Sequence, residues 1–282
     1  MKEHQNLQIS GANKRPVLID IRYNANRTPK PLVIFVHGFK GFKDWGHFNP
    51  IADAFAEQQF VFLKFNFSHN GTTPEHPQEF VDLEAFGQNN FSFELEDLGN
   101  VIDFACSRKF PVPKKEFDAN HIYLLGHSRG GGIAILKAVE DSRVKKIATW
   151  ASVSEYGKFW NEAMLPMWQE NGVVYVPNVR TGQQMPLFWQ LYEDFRDNRN
   201  RLLIPDAVKK LRIPFLVVHG TADLTVPYQS ALDLVDWHPA ATLVTILGGD
   251  HTFGGKHPFT DPELPESAQK AVMETVGFFK SQ

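Results

Sequence analysis

The chain of 282 residues has a single cysteine, Cys106. No internal disulfide can form, which excludes a disulfide-stapled scaffold and favours a reducing compartment. Long apolar runs are missing as well. No stretch approaches the ~18 apolar residues that a membrane-spanning helix requires. The start, "MKEHQNLQIS", has no apolar run behind its charges, so no secretory signal is expected. A cytoplasmic location is the resulting expectation. Excess basic charge is also lacking, with a formal net charge of -3. Nucleic acid and anionic membrane surfaces both call for a basic patch, so neither is expected as a partner. No cluster with metal-ligand spacing occurs, and "GHSRGGG" lacks the lysine of a phosphate-binding loop. No metal and no cofactor are expected.

What the chain does have is apolar bulk. Hydrophobic residues make up 43%, enough for a sizeable core, and phenylalanine is common at 24 residues. At ~150 residues per domain, this length allows one large or two small domains. Short apolar segments alternate with helical patterns. "PVLIDIRY" from Pro16 alternates like an antiparallel strand. "LVIFVHG", "FVFLKFNF", "HIYLLG", "VKKIATWAS", "IPFLVVHG" and "ATLVTILGG" read as further strands, most of them continuous apolar runs as in a buried parallel sheet. Between them lie helical stretches. One, "FSFELEDLGNVIDFAC", places Phe93, Leu95, Leu98, Val101, Ile102 and Ala105 on one stripe. A last helix follows Pro265. Strand and helix in alternation predict an α/β fold: a mostly parallel twisted sheet with helices on both faces.

One segment breaks the alternation. Residues 152–205 contain a hairpin pattern, "GVVYVPNVRTGQQMPL", flanked by amphipathic helical patterns. Four of the six tryptophans lie between Trp150 and Trp189. The segment is either an insertion with its own small core or a cap over the strand ends, where open α/β sheets bind ligands. The division expected is a core of residues 1–151 and 206–282 with a cap of residues 152–205.

Chemistry concentrates at "GHSRG". Ser128 stands where an apolar strand ends and a helix begins, with Gly126 and Gly130 on either side. A nucleophile on so sharp a turn has strained backbone angles, and only small neighbours avoid clashing with it. A serine hydroxyl needs a base. Of the eleven histidines, His251 follows the last strand in "LGGDHTFGG" and is the candidate. The base needs a carboxylate to fix its tautomer. Asp223, in "VVHGTADLTVP", is favoured over Asp250, whose side chain points away from the ring it precedes. The oxyanion needs two donors. The backbone N–H groups of Arg129 and Phe39 are the candidates. The Phe39 ring is expected to line the acyl pocket, and the Arg129 guanidinium to meet a carboxylate such as Glu155 or Asp97.

Five motifs in order, "HGFKGF", "FNFSHNGT", "GHSRGG", "HGTADLTVP" and "GGDHTF", resemble those of the α/β-hydrolase superfamily. Within it the chain looks most like the dienelactone-hydrolase-like and cinnamoyl (feruloyl) esterase-like group. The resemblance covers almost the whole chain. It implies the α/β-hydrolase fold, with Ser128 as nucleophile, His251 as base, Asp223 as acid, and Phe39 and Arg129 as oxyanion donors. It also places the insertion where esterases of this group carry a cap. Two departures stand out. Dienelactone hydrolases use a cysteine nucleophile, and Ser128 in its place argues against a dienelactone substrate. Cys106 is expected to be a packed thiol in the helix before the turn. At "SHNGT" relatives often have a Gly-His-Gly turn, so His69 is read as a structural or pocket residue.

The function expected is hydrolysis of a small-molecule carboxylic ester through an acyl-enzyme, by a monomer or a homodimer. An aromatic cap surface of Trp160, Trp168, Phe188, Trp189 and Tyr192, together with Phe39, suits an aryl or medium acyl group. A peptidase or thioesterase of the same fold is the alternative within enzymes. A binding protein without turnover is the alternative outside them.

Overall fold

A computed structural model describes residues 1–281. The strands are β1 (Lys2–Ser10), β2 (Pro16–Tyr23), β3 (Lys30–Val36), β4 (Val61–Asn66), β5 (Phe117–His127), β6 (Val144–Trp150), β7 (Val173–Asn178), β8 (Gln183–Phe188), β9 (Phe215–Gly220) and β10 (Thr242–Ile246). Eight of them form one sheet in the order β1-β2-β4-β3-β5-β6-β9-β10, and β7 and β8 form a separate hairpin. β2 is antiparallel to both its neighbours, and from β4 to β10 the sheet is parallel. This is the α/β architecture that the alternation of patterns predicts.

The apolar runs are buried because both faces are covered. Along β3, Leu32, Ile34 and Val36 join one core while Val33 and Phe35 join the other. The first core is closed by the helices Phe91–Cys106, Arg129–Glu140, Ile204–Lys210 and Gln229–Trp237. The second is closed by the helices Phe48–Glu57 and Glu266–Lys280. This period of two, filled on both faces, explains runs that do not alternate in hydrophobicity.

Register decides where function can sit. Val36 pairs with Gly126, His127 with Trp150, Trp150 with Val218, and Gly220 with Ile246. Five parallel strands therefore stop level with one another, and their loops crowd one edge of the sheet. That edge is where open α/β sheets place their ligands.

Three details depart from the sequence reading. β1 is an edge strand that the sequence did not signal, since only His4, Leu7 and Ile9 are even half-buried along it. On the helix Phe91–Cys106 the buried stripe begins at Phe91, while Phe93 is half-buried and lies against His69 with ring centroids 4.7 Å apart. Cys106 ends that helix exposed, not packed, because the last turn rotates it away from Ala105 and the core.

The buried residues of the inserted segment, Trp168, Met185, Leu187, Leu191 and Phe195 among them, are continuous with the first core. Gly172, at φ 70°, ends the helix Leu165–Asn171 and starts the hairpin. Ile204 and Val208 are fully buried in the same core. Among the described residues no helix is long and apolar enough to cross a membrane.

Four buried charges fasten the loop after β3. Asp20 on β2 lies opposite Lys64 on β4, and Lys43 and Asp44 descend from the loop between them. Lys43 Nζ is 2.7 Å from Asp20 and 2.6 Å from Asp44, and Lys64 Nζ is 2.8 Å from Asp20 and also touches Asp44. Burial alone would raise the Asp44 carboxyl, but Lys64 and Lys43 hold it well below the usual range. Removing one cation leaves two buried carboxylates sharing the other, and breaking such a pair costs about 3–5 kcal/mol. Lys64→Met is expected to lower the urea midpoint by that much stability; a loss under ~1 kcal/mol would show the cluster to be a bystander.

Candidate active site

The turn at Ser128 is built by exclusion. Ser128 has φ 56° and ψ -125°, outside the regions that L-residues favour. A Cβ on Gly130 would lie 2.3 Å from the Val36 carbonyl oxygen, and one on Gly126 would lie 2.5 Å from the Gly130 carbonyl oxygen. Any larger residue at either position would push β3, β5 and the helix Arg129–Glu140 apart. Ser128 N–H donates to the Trp150 carbonyl at 2.9 Å, which ties the strained turn to the end of β6.

Ser128 Oγ lies 3.0 Å from His251 Nε2, and His251 Nδ1–H donates to Asp223 Oδ2 at 2.8 Å. The three residues come from the loops after β5, β9 and β10. Asp223 Oδ1 accepts the N–H groups of Thr225 at 2.8 Å and Val226 at 2.9 Å. Burial would raise the Asp223 carboxyl. Hydrogen bonds from His219, His251 and the Val226 amide instead hold it far below the usual carboxylate range. It is therefore an anion that accepts the Nδ1 proton and leaves Nε2 as the acceptor facing the hydroxyl.

Two histidines outside the sequence candidates support this chain of bonds. His127, in the variable position of the motif, donates from Nε2–H to the His251 carbonyl at 2.8 Å and fixes that loop. His219, fully buried, sends Nε2–H to the Val226 carbonyl at 2.9 Å, with Asp223 Oδ2 3.3 Å away. The signal for His127 was its place beside Ser128; for His219 nothing local distinguished it from a strand-end residue. His69 hydrogen-bonds Ser68 Oγ at 2.7 Å and does not line the pocket.

Arg129 opens its helix, so its N–H is one of those that no helical carbonyl reaches. No protein acceptor engages the Phe39 N–H among the described residues. Gly38 lies so close to Ser128 that a Cβ there would sit 2.8 Å from the Ser128 Cβ. The Arg129 side chain meets neither Glu155 nor Asp97. Its Nε donates to Glu94 Oε2 at 3.1 Å, and its guanidinium lies 4.5 Å from the centre of the Phe91 ring. Glu94, three residues before Asp97, is the one turned to the Ser128 helix, while Asp97 accepts the Ala12 and Ser68 N–H groups instead.

A cavity of about 850 Å³ opens over Ser128 and His251. Phe39 lines it, as do Trp45, Phe48, Phe159 and Val176. Trp160, Trp168, Phe188, Trp189 and Tyr192 do not, which corrects the expectation for all five. The apolar sides of the insertion's helices face each other instead. Trp160 packs on Tyr192 at 5.5 Å and Trp168 on Trp189 at 5.6 Å, while Phe188 is seated over Gly87. The expectation took aromatic bulk for pocket lining when it serves to pack the insertion onto the first core. Trp160 and Tyr192 line a second, smaller cavity of about 130 Å³.

The alpha/beta hydrolase fold family matches residues 31–172. A Mycoplasma genitalium protein named among the esterases and lipases is 29% identical over 125 residues, 44% of this chain and 38% of that protein. An Arabidopsis thaliana protein named an isoprenylcysteine alpha-carbonyl methylesterase is 24% identical, over 76% of this chain and 43% of that one. The chain thus spans less than half the length of these two relatives. A solved structure of Est1E from Butyrivibrio proteoclasticus with ferulic acid bound has the same fold at 20% identity, with a TM-score of 0.67 and coverage of 95% of this chain and 97% of that one.

Acid should loosen this fold. Burial, first among the causes, lowers His37, His47 and His69 to about 4 and His127 to about 3. Unfolded, each takes a proton near 6.5, so each contributes stability above that pH and loses it as pH falls towards 4. Asp97, raised to about 6 chiefly by burial, and Glu94, raised by burial as well, work in the opposite direction. Four groups outweigh two, so the urea midpoint is expected to drop between pH 7.5 and pH 5. A midpoint that held or rose over that range would mean that these rings are not kept neutral.

Proposed function

The chain belongs to the alpha/beta hydrolase fold family, and on that premise we propose that it hydrolyses carboxylic esters through an acyl-enzyme on Ser128. The observation that carries this reading is the unbroken chain from Ser128 Oγ through His251 to Asp223 at the floor of a cavity. His251 Nε2 takes the Ser128 proton as Oγ attacks the ester carbonyl. Asp223 stabilises the imidazolium without taking its proton. The N–H groups of Phe39 and Arg129 receive the negative charge that develops on the carbonyl oxygen. His251 then protonates the departing alcohol, and a water repeats the sequence to free the acid.

The four-charge cluster at Asp20, Lys43, Asp44 and Lys64 holds the Phe39 loop, which favours a donor set already in place before substrate arrives. Residues 152–205 act as the cap: Val153, Phe159 and Val176 of this segment line the cavity. Phe39, Phe159, Trp45 and Phe48 around Ser128 suit a small aryl or medium acyl ester. The ferulic acid carried by Est1E is an aromatic acid of that size. A peptidase reading would need a free carboxylate for a substrate amine. Of the two carboxylates lining the cavity, Asp233 is already bonded to Lys158 at 3.1 Å and Gln229 at 3.0 Å, whereas Glu155 has no cation within 4.0 Å among the described residues and is the one group that would serve that reading.

A fluorophosphonate probe is expected to label the wild type and to leave Ser128→Ala unlabelled. Asp223→Asn should retain the fold and lose ~10⁴ in kcat on an aryl ester, as loss of the orienting carboxylate does elsewhere. A folded wild type that resists the probe would overturn the reading, as would Asp223→Asn with full kcat.

A further inference from the structure

The cavity over Ser128 is not electrically uniform. Four cationic side chains line it: Lys40, Arg129, Lys158 and Arg180. Arg129 is matched by Glu94, and Lys158 by Asp233. Among the described residues, Lys40 and Arg180 have no carboxylate within 4.0 Å. These two belong to the same end of the cavity. Lys40 follows Phe39 and donates from Nζ to the Pro177 carbonyl at 3.1 Å, which joins the loop after β3 to the hairpin. Arg180 is three residues further along, at the tip of that hairpin. Its guanidinium lies 5.7 Å from the Phe42 ring centre and 5.8 Å from that of Phe80. Between them Asn178 lines the cavity, buried, with its Nδ2 unpartnered.

Lys40 is half-buried, while Arg180 stays exposed at the hairpin tip with its guanidinium laid towards two apolar rings. Burial lowers both Lys40 and Arg180 with no carboxylate to offset it. Lys40 spends one of its three donors on Pro177, and Arg180 makes no hydrogen bond to the described residues, so its fork of donors is free. The lining carboxylates lie elsewhere. Asp233 is on the helix Gln229–Trp237, and Glu155 follows Ser154, which is bonded to Asp233. The cavity therefore has an end with unmatched positive charge beside Phe39, and another where charge is balanced or negative.

We propose that the hairpin end of this cavity is a subsite for an anionic oxygen group, carboxylate or phosphate, carried by the ester substrate and held by Lys40 and Arg180. It rests on the ester-hydrolase reading and narrows its substrate class: an ester with one end to be cleaved at Ser128 and a charged end to be held. Arg180 supplies a forked contact and Lys40 a point charge. The hairpin that carries Arg180 thereby sets specificity as well as forming a wall.

Binding is measured first, apart from turnover. Ser128→Ala protein is titrated calorimetrically with monomethyl glutarate, with the methyl ester of 4-phosphonobutyrate, and with the neutral methyl pentanoate. At least one anionic ester should bind ~10-fold or more tightly than the neutral one, and the stronger of the two identifies the group. Adding Arg180→Gln or Lys40→Met should cut that preference ~10-fold, and raising salt from 50 to 500 mM should erode it. Turnover follows with the 4-nitrophenyl esters of glutarate and of pentanoate, read as the ratio of their kcat/KM values in wild type, Arg180→Gln and Lys40→Met. A general loss of activity cancels in that ratio. No preference for either anion in binding overturns the subsite, as does a preference that both substitutions leave intact. Absent turnover of every ester with anion binding intact would instead overturn the hydrolase reading and leave the subsite standing.

Discussion

The structure around Ser128 depends on how closely three backbones approach. The carbonyls at the end of β3, the end of β5 and the first turn of the helix Arg129–Glu140 meet where side chains would not fit. That approach holds Ser128 at a positive φ, which few residues adopt and which must be compensated by the surrounding fold. The same contact puts Gly38 against Ser128. The level ends of the parallel strands then deliver Asp223 and His251 from loops far apart in sequence.

Charge inside the molecule is handled by pairing near the core and by leaving gaps at the cavity. Asp20, Lys43, Asp44 and Lys64 balance one another out of water, and Lys30 meets Glu116 at 2.7 Å in the same manner. Arg129 is neutralised by Glu94 behind the proposed oxyanion site, so its amide acts beside a side chain whose charge is already matched. Lys40 and Arg180 break this habit where the cavity opens, and Lys146, buried on β6, is met by the Phe278 and Phe279 carbonyls instead of a carboxylate.

The insertion serves two purposes with two sets of residues. Its tryptophans and Tyr192 pack on one another and extend the first core into the segment. Less conspicuous residues, among them Phe159, Val176, Asn178 and Arg180, meet the cavity. Composition points to the first set because large aromatic residues are easy to see. Which face of each element turned towards Ser128 was a matter of packing.

Much of this was already determined by the sequence. The continuous apolar runs specify a sheet buried on both faces, and "GHSRG" between strand and helix marks the sharp turn, because only glycine fits such contacts. The loops carrying Asp223 and His251 could be placed at strand ends for the same reason. Tertiary structure decided the rest. The polar edge strand β1, the Glu94 partner of Arg129, the support from His127 and His219, and the exposure of Cys106 all depend on which faces meet. Periodicity along a chain reports the direction of a side chain relative to its own element. It carries no information about what stands opposite, and hydrogen bonds, ion pairs and cavity walls are made between opposites.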